Sequence, residues 1–196
     1  MANGKSHLFW DSCVFNAFLR DERDAYDVDS IAQYLTEARE GKHQIYASSL
    51  VFAELLPSAI TKPGIGSFND FVEDVQGAIT IVDTTPNIMQ AAAYLRDLPY
   101  KKGNSPGRRL ATPDAIMLAT AILVRDQFGV SLDFFHTFDD GKKRGPEGKS
   151  VPLLSYHEWC EGFTAEQMRV AQPVVNLNRK KPIHPSPGLF NGRTQS

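Results

Sequence analysis

The sequence predicts an α/β fold, a single domain with a central, mainly parallel sheet flanked by helices. Three observations predict it. Short apolar runs of strand length alternate with longer stretches whose apolar residues recur at helical spacing. Cap and proline signals stand where those helices should begin. The chain has 196 residues, 42% hydrophobic and 22% charged, enough for one sizeable core with no need of two.

Leu8–Trp10 reads as the first strand, and Val14, Phe15, Ala17, Phe18 and Leu19 as the apolar side of a helix following Asp11. A second helix is expected from Asp29 or Ser30, with Ile31, Tyr34, Leu35 and Ala38 inward and Gly41 at its end. Gln44–Ala47 is the next strand. Ser48 and Ser49 then offer a cap to a helix that carries Glu54 and runs to about Ile60, kinked or split at Pro57. Phe68–Gln76 looks helical, Ala78–Val82 is a β-branched strand, and Pro86–Leu98 is an alanine-rich helix. Residues 99–111 read as a loop. Thr112 as N-cap, Pro113 at the first helical position and Asp114 in the first turn announce a helix to about Phe128. Leu132–His136 and Val151–Ser155 are expected strands. From Asn176 the chain is polar and Pro-rich, without periodicity, and reads as flexible.

The net charge of −2 excludes little, because opposing patches cancel. Lys101, Lys102, Arg108 and Arg109 put four positive charges in one loop, read equally as a solvated surface or as an RNA backbone contact. Lys142–Arg144 and Arg179–Lys181 are further basic clusters, while 21–29 and 70–83 are mostly acidic. Cys13 and Cys160 are the only cysteines. Cys13 lies in an apolar run and reads as a small buried residue, and no histidines stand at the short spacing of a zinc framework. His136 reads as structural. No signal-peptide pattern opens the chain, and no apolar run approaches the ~20 residues of a membrane span. The expected location is cytoplasmic, with no membrane partner.

Four acids carry the functional signal. Asp11 and Asp139 stand at or just past strand ends, and Glu54 and Asp114 in the first turns of the helices that follow strands. In a parallel sheet those carboxyl ends lie together, at the edge where open α/β sheets bind ligands. Each acid alone has an ordinary reading as a helix-dipole partner or solvated charge. Together they would repel one another unless a cation neutralised them. An all-oxygen set favours Mg2+ or Mn2+, the chemistry of a metal-dependent enzyme acting on phosphodiesters. A receiver- or phosphatase-type phosphotransfer site fits poorly, because Asp11 lacks an adjacent acid.

The motifs resemble those of the PIN domain, a family of Mg2+- or Mn2+-dependent ribonucleases that includes the VapC-type toxins of toxin–antitoxin pairs. The resemblance rests on Phe9, Trp10, Asp11 and Ser12 closing the first strand, and on Ser48 and Ser49 leading to Glu54 and Leu55. It continues with Asp114, Ala115 and Ile116 opening a helix of small residues, and with Thr137, Phe138 and Asp139 after a strand. It covers residues 7–157, and the family often has a Phe shortly after the last Asp where this chain has Asp140, Gly141 and Lys142.

The resemblance implies an α/β/α nuclease domain at residues 1–157, with 158–196 a C-terminal extension that is flexible from about 176. It implies a metal-dependent endoribonuclease with catalytic residues Asp11, Glu54, Asp114 and Asp139. Asp11, Asp114 and Asp139 would hold the metal, and Glu54 would be a ligand or orient the metal-bound water. Ser12, Asn16, Thr137 and Asp140 would stand behind them, although the hydroxyls and Asn16 also suit simple capping. Asp139 or Asp140 can fill the last ligand position, and placement favours Asp139. Lys101, Lys102, Arg108 and Arg109 would contact the RNA substrate. The expected partners are a small antitoxin protein and a second copy of the chain in a homodimer. An RNA-processing nuclease outside toxin–antitoxin systems, or a silent module that binds RNA or protein, carries the same motifs.

Overall fold

Strand β1 (Ser6–Trp10) is the middle of a five-stranded, all-parallel sheet. It pairs on one side with β2 (His43–Ser48), which pairs with β3 (Ile79–Val82), and on the other with β4 (Phe134–His136), which pairs with β5 (Arg179–Lys180). The structure is a computed structural model and describes residues 5–75, 77–141 and 150–185. Leu8 is aligned with Ile45 and Phe134, and Phe9 with Tyr46 and Phe135. Leu8, Phe9 and Trp10 are all buried. Since successive side chains point to opposite faces, both faces of the central strand are covered.

Helices α1 (Ser12–Leu19), α2 (Val28–Arg39), α3 (Val51–Glu54), α4 (Phe68–Asp74), α5 (Pro86–Arg96), α6 (Thr112–Phe128) and α7 (Ala165–Val175) surround the sheet. Their buried residues join one core with the strands. Stacked Phe9 and Phe135 rings, 5.3 Å apart, and edge contacts of Phe15 with Phe68 and Phe71 run through it. The buried Thr120 hydroxyl of α6 donates to Ser48 Oγ at 3.2 Å, fixing α6 against the carboxyl end of β2. Among the described residues no helix is long and apolar enough to cross a membrane.

The helix carrying Glu54 is split at Pro57 as expected, into one turn of α3 and a separate 3₁₀ turn at Pro57–Ala59. The structure departs from the sequence reading in four places. Asp27, not Asp29 or Ser30, caps α2, its carboxylate accepting from Ser30 N at 3.0 Å. Thr112 is the first residue of α6 and Ala111 its N-cap, without a side-chain cap bond. Val151–Ser155 is not a strand: the amides of Leu153 and Leu154 bond to the Asp139 carboxylate and carbonyl, so they have no strand to pair with. Finally, the chain beyond 176 is built into the fold as far as it is described. Residues 179–180 add β5 to the sheet edge, and His184 is buried, its amide donating to Ser30 Oγ at 3.0 Å. The basic cluster at Lys142–Arg144 lies outside the described residues.

Candidate active site

The carboxyl ends of β1, β2 and β4 open into a cavity of about 460 Å³ walled by all four expected acids, Asp11, Glu54, Asp114 and Asp139. They come from four elements: the cap of α1, the last residue of α3, the first turn of α6 and the loop after β4. Parallel pairing is what joins them, because it turns the ends of β1 and β4 to the same edge.

Asp11 is the buried member, 5% exposed. Its backbone N–H donates to His136 O at 3.0 Å, extending the β1–β4 ladder by one bond. Its Oδ2 accepts from Thr137 Oγ1 at 2.7 Å and from Cys13 Sγ at 3.0 Å, and its Oδ1 from Ser12 Oγ at 3.4 Å. Three donors thus aim the carboxylate at the cavity, and it does not cap its own helix. Thr137 is fully buried and also accepts from Asp139 N at 3.1 Å, so one hydroxyl joins both strand-end acids.

Asp139 accepts from Gly141 N at Oδ1 (3.1 Å) and from Leu153 N at Oδ2 (3.0 Å). It therefore pins the 150s segment to the end of β4, and each of these bonds uses one of the two lone pairs on its oxygen. Asp140 does not belong to the cavity wall; its carboxylate lies 3.6 Å from Lys181 Nζ. Ser12 and Asn16 line the cavity, and Asn16 Nδ2 donates to Ser12 O at 3.3 Å, a bond back along its own helix. Among the described residues no three of these acids bring ligand oxygens within 4.8 Å of one another.

None of the four basic loop residues is on the cavity wall. Lys101, Lys102 and Arg109 are exposed. Lys102 pairs with Glu158 at 2.5 Å. Arg108 stacks on Trp159 at 4.5 Å and donates to Ser150 O at 3.0 Å, so its guanidinium is engaged in holding the loop. Arg109 bridges to Ser150, which does line the cavity, and Ala111 at the loop's end lines it too. The loop thus runs along the rim.

Cys13, Arg20, Glu22 and Tyr26 also line the cavity and were not expected there. Burial and the neighbouring Asp11 push the Cys13 thiol well above its ordinary value, so it stays a neutral donor. The position of Cys13 two residues after Asp11, in the first turn of α1, was the available signal. Tyr26 reaches the cavity by packing on Phe138, ring centres 4.2 Å apart, and nothing local in the sequence announces that contact.

A family model described as PIN domain matches residues 8–144 of the chain, a span that contains all four acids. No curated protein and no solved structure is significantly similar to it.

Proposed function

Since the chain belongs to the PIN domain family, we propose that it is a divalent-metal-dependent endoribonuclease whose working site is the acidic cavity at the carboxyl edge of the sheet. One observation carries this reading: four carboxylates from four separate elements wall one cavity. Nucleases of this family generally use divalent metals, and the donor set here fits that use. It is all oxygen, which suits Mg2+ or Mn2+ and not a thiolate- or imidazole-seeking ion. Its wide spacing suits an ion that keeps several waters and meets carboxylates partly through them.

Asp11, Asp114 and Asp139 would hold the ion, and Glu54 would be a further ligand or orient the attacking water. When bound, the ion activates water and offsets the charge that builds on the phosphate and leaving oxygen. Thr137, Cys13 and Ser12 hold Asp11 in one rotamer, and such outer donors tune how well a ligand binds. The Leu153 and Gly141 amides do the same for Asp139. Lys101, Lys102 and Arg109, on the rim, would track the RNA backbone through phosphate contacts.

A toxin role, restrained by a small antitoxin and acting in the cytoplasm as a homodimer, is the biological setting we favour. Phe52 and Leu56 on either side of Glu54 are 42% and 58% exposed, and apolar side chains beside a polar cavity suit a docking peptide. The enzymatic reading is tested first. Purified chain should cut RNA with Mg2+ or Mn2+, stop in excess EDTA, and resume on re-addition. Asp11→Asn should be inactive yet melt no lower than wild type, because it relieves carboxylate repulsion. Undiminished cleavage in excess EDTA would exclude the mechanism.

A further inference from the structure

A second cluster of ligand-bearing side chains lies away from the acidic cavity. Glu37 is on α2, His43 opens β2 at the amino edge of the sheet, and His184 follows β5. Both imidazoles turn an Nε2 toward one carboxylate oxygen, with His43 Nε2 at 2.9 Å and His184 Nε2 at 3.0 Å from Glu37 Oε2. Among the described residues this is the one set of three His, Cys, Asp or Glu side chains whose ligand atoms all lie within 4.8 Å of each other.

We propose that Glu37, His43 and His184 form a second metal site, separate from the acidic cavity, that takes Zn2+ and closes the C-terminal segment onto α2. Two imidazoles and a carboxylate make a donor set for zinc, and one poorly suited to Mg2+. Tetrahedral ligands at about 2.0–2.1 Å from zinc lie roughly 3.3 Å apart, so the two observed separations from Glu37 Oε2 need to open by only a few tenths of an ångström. The ligands are already oriented. Gln33 Nε2 donates to Glu37 Oε1 at 3.0 Å, which leaves Oε2 to the imidazoles. The Tyr34 ring packs on both histidines, with centroids 5.5 Å from His43 and 4.9 Å from His184. The side chains of Glu37, His43 and His184 are 16%, 15% and 7% exposed. The site is therefore shielded from bulk water yet open enough for an ion to enter and keep a water as fourth ligand.

The consequence is structural. Glu37 and His184 are 147 residues apart. The segment around His184 is also tied to α2 by hydrogen bonds from His184 N to Ser30 Oγ at 3.0 Å and from Tyr34 Oη to Ile183 O at 3.4 Å. An ion that binds only the closed arrangement stabilises it by mass action. β5, the edge strand paired with β4, and Lys181, whose Nζ lies 3.6 Å from Asp140, are carried on that same segment.

The test is calorimetric titration of ZnSO4 into the full chain with excess Mg2+ present, so that hard-ion sites are already filled. We expect one tightly bound equivalent of Zn2+, weakened at least about 100-fold in His43→Gln and in His184→Gln and unchanged in Asp114→Asn. In the wild type, Zn2+ should move the imidazole nitrogen resonances of His43 and His184 and leave those of His7 and His157 in place. That measurement does not depend on any variant folding. Absence of a bound equivalent, wild-type affinity in both histidine variants, or unmoved His43 and His184 resonances would each overturn the proposal. The readout is binding, so it stands or falls separately from RNA cleavage.

Discussion

The Thr137 hydroxyl donates to Asp11 Oδ2 at 2.7 Å, across the seam where β4 and β1 end side by side. The Thr137 hydroxyl oxygen in turn accepts from Asp139 N at 3.1 Å. A residue that does not line the cavity therefore sets the orientation of two that do. The bond is wholly buried, where a hydroxyl–carboxylate contact is strong and its loss costly.

Thr137→Val keeps the side-chain shape and removes both bonds. We expect cleavage of RNA to fall about 10- to 100-fold, with more Mg2+ needed for half-maximal rate. Stability should fall by about 1–3 kcal/mol, because the buried Asp11 carboxylate loses the shortest of its three donors. Thr137→Ser should recover most of both. Single-turnover cleavage against Mg2+ concentration, with urea melts of each variant, measures this. Wild-type rates in Thr137→Val would remove the hydroxyl from the mechanism.

The loop basics divide by what they touch. Lys101→Ala, Lys102→Ala and Arg109→Ala should weaken RNA binding and lower the log–log salt slope by about 0.7 for each phosphate that is no longer neutralised. Arg108→Ala should instead cost about 1–2 kcal/mol of stability, because its guanidinium stacks on Trp159 and holds the Ser150 carbonyl. Filter binding at several salt concentrations separates the two groups. An unchanged slope in the triple variant would make the loop a plain solvated surface.

His136 gives the fold a defined acid sensitivity. Burial, with smaller effects from Lys180 and His43, holds its imidazole down from 6.5 to about 3. Its Nδ1 accepts from Trp10 Nε1 at 3.1 Å. Between those pH values the unfolded chain binds a proton that the folded chain refuses, so stability is complete above about pH 6.5 and is lost as pH falls toward 3. The loss should be on the order of a few kcal/mol. Urea unfolding at about pH 7.5 and pH 4.5 measures it, and His136→Asn should flatten this part of the profile. A wild-type profile flat over that range would contradict the account.

Expression of the wild-type chain alone should slow bacterial growth, and co-expression of a small protein encoded beside it should restore growth. Asp11→Asn should be harmless and still bind that partner. Phe52→Asp should weaken the pairing by exchanging an exposed apolar side chain for a charge. Growth curves and co-purification read these outcomes. A wild-type chain that leaves growth unaffected and recovers no partner would end the toxin assignment while leaving the nuclease reading intact.

Much of the fold was legible because it is locally encoded. Leu8–Trp10, Gln44–Ala47 and Ala78–Val82 each place a strand, and Pro113 and Asp114 place the start of α6, from apolar runs and cap chemistry acting within a few residues. The meeting of Asp11, Glu54, Asp114 and Asp139 on one cavity was also inferable, because parallel pairing sends strand ends to one edge whatever the loops do. What the sequence alone left undecided depends on partners far along the chain. Arg179 and Lys180 are polar and make a strand only because β4 offers an open edge to their backbone. Val151–Ser155 has strand composition, yet Asp139 takes up the Leu153 and Leu154 amides before any strand can. Thr137 and Cys13 become the supports of Asp11 only when the ends of β4 and β1 meet. Glu37, His43 and His184, unrelated by any spacing, converge only when the C-terminal segment folds back onto α2. Local propensity acts over a turn or a pleat, whereas these contacts follow from long-range closure of the sheet.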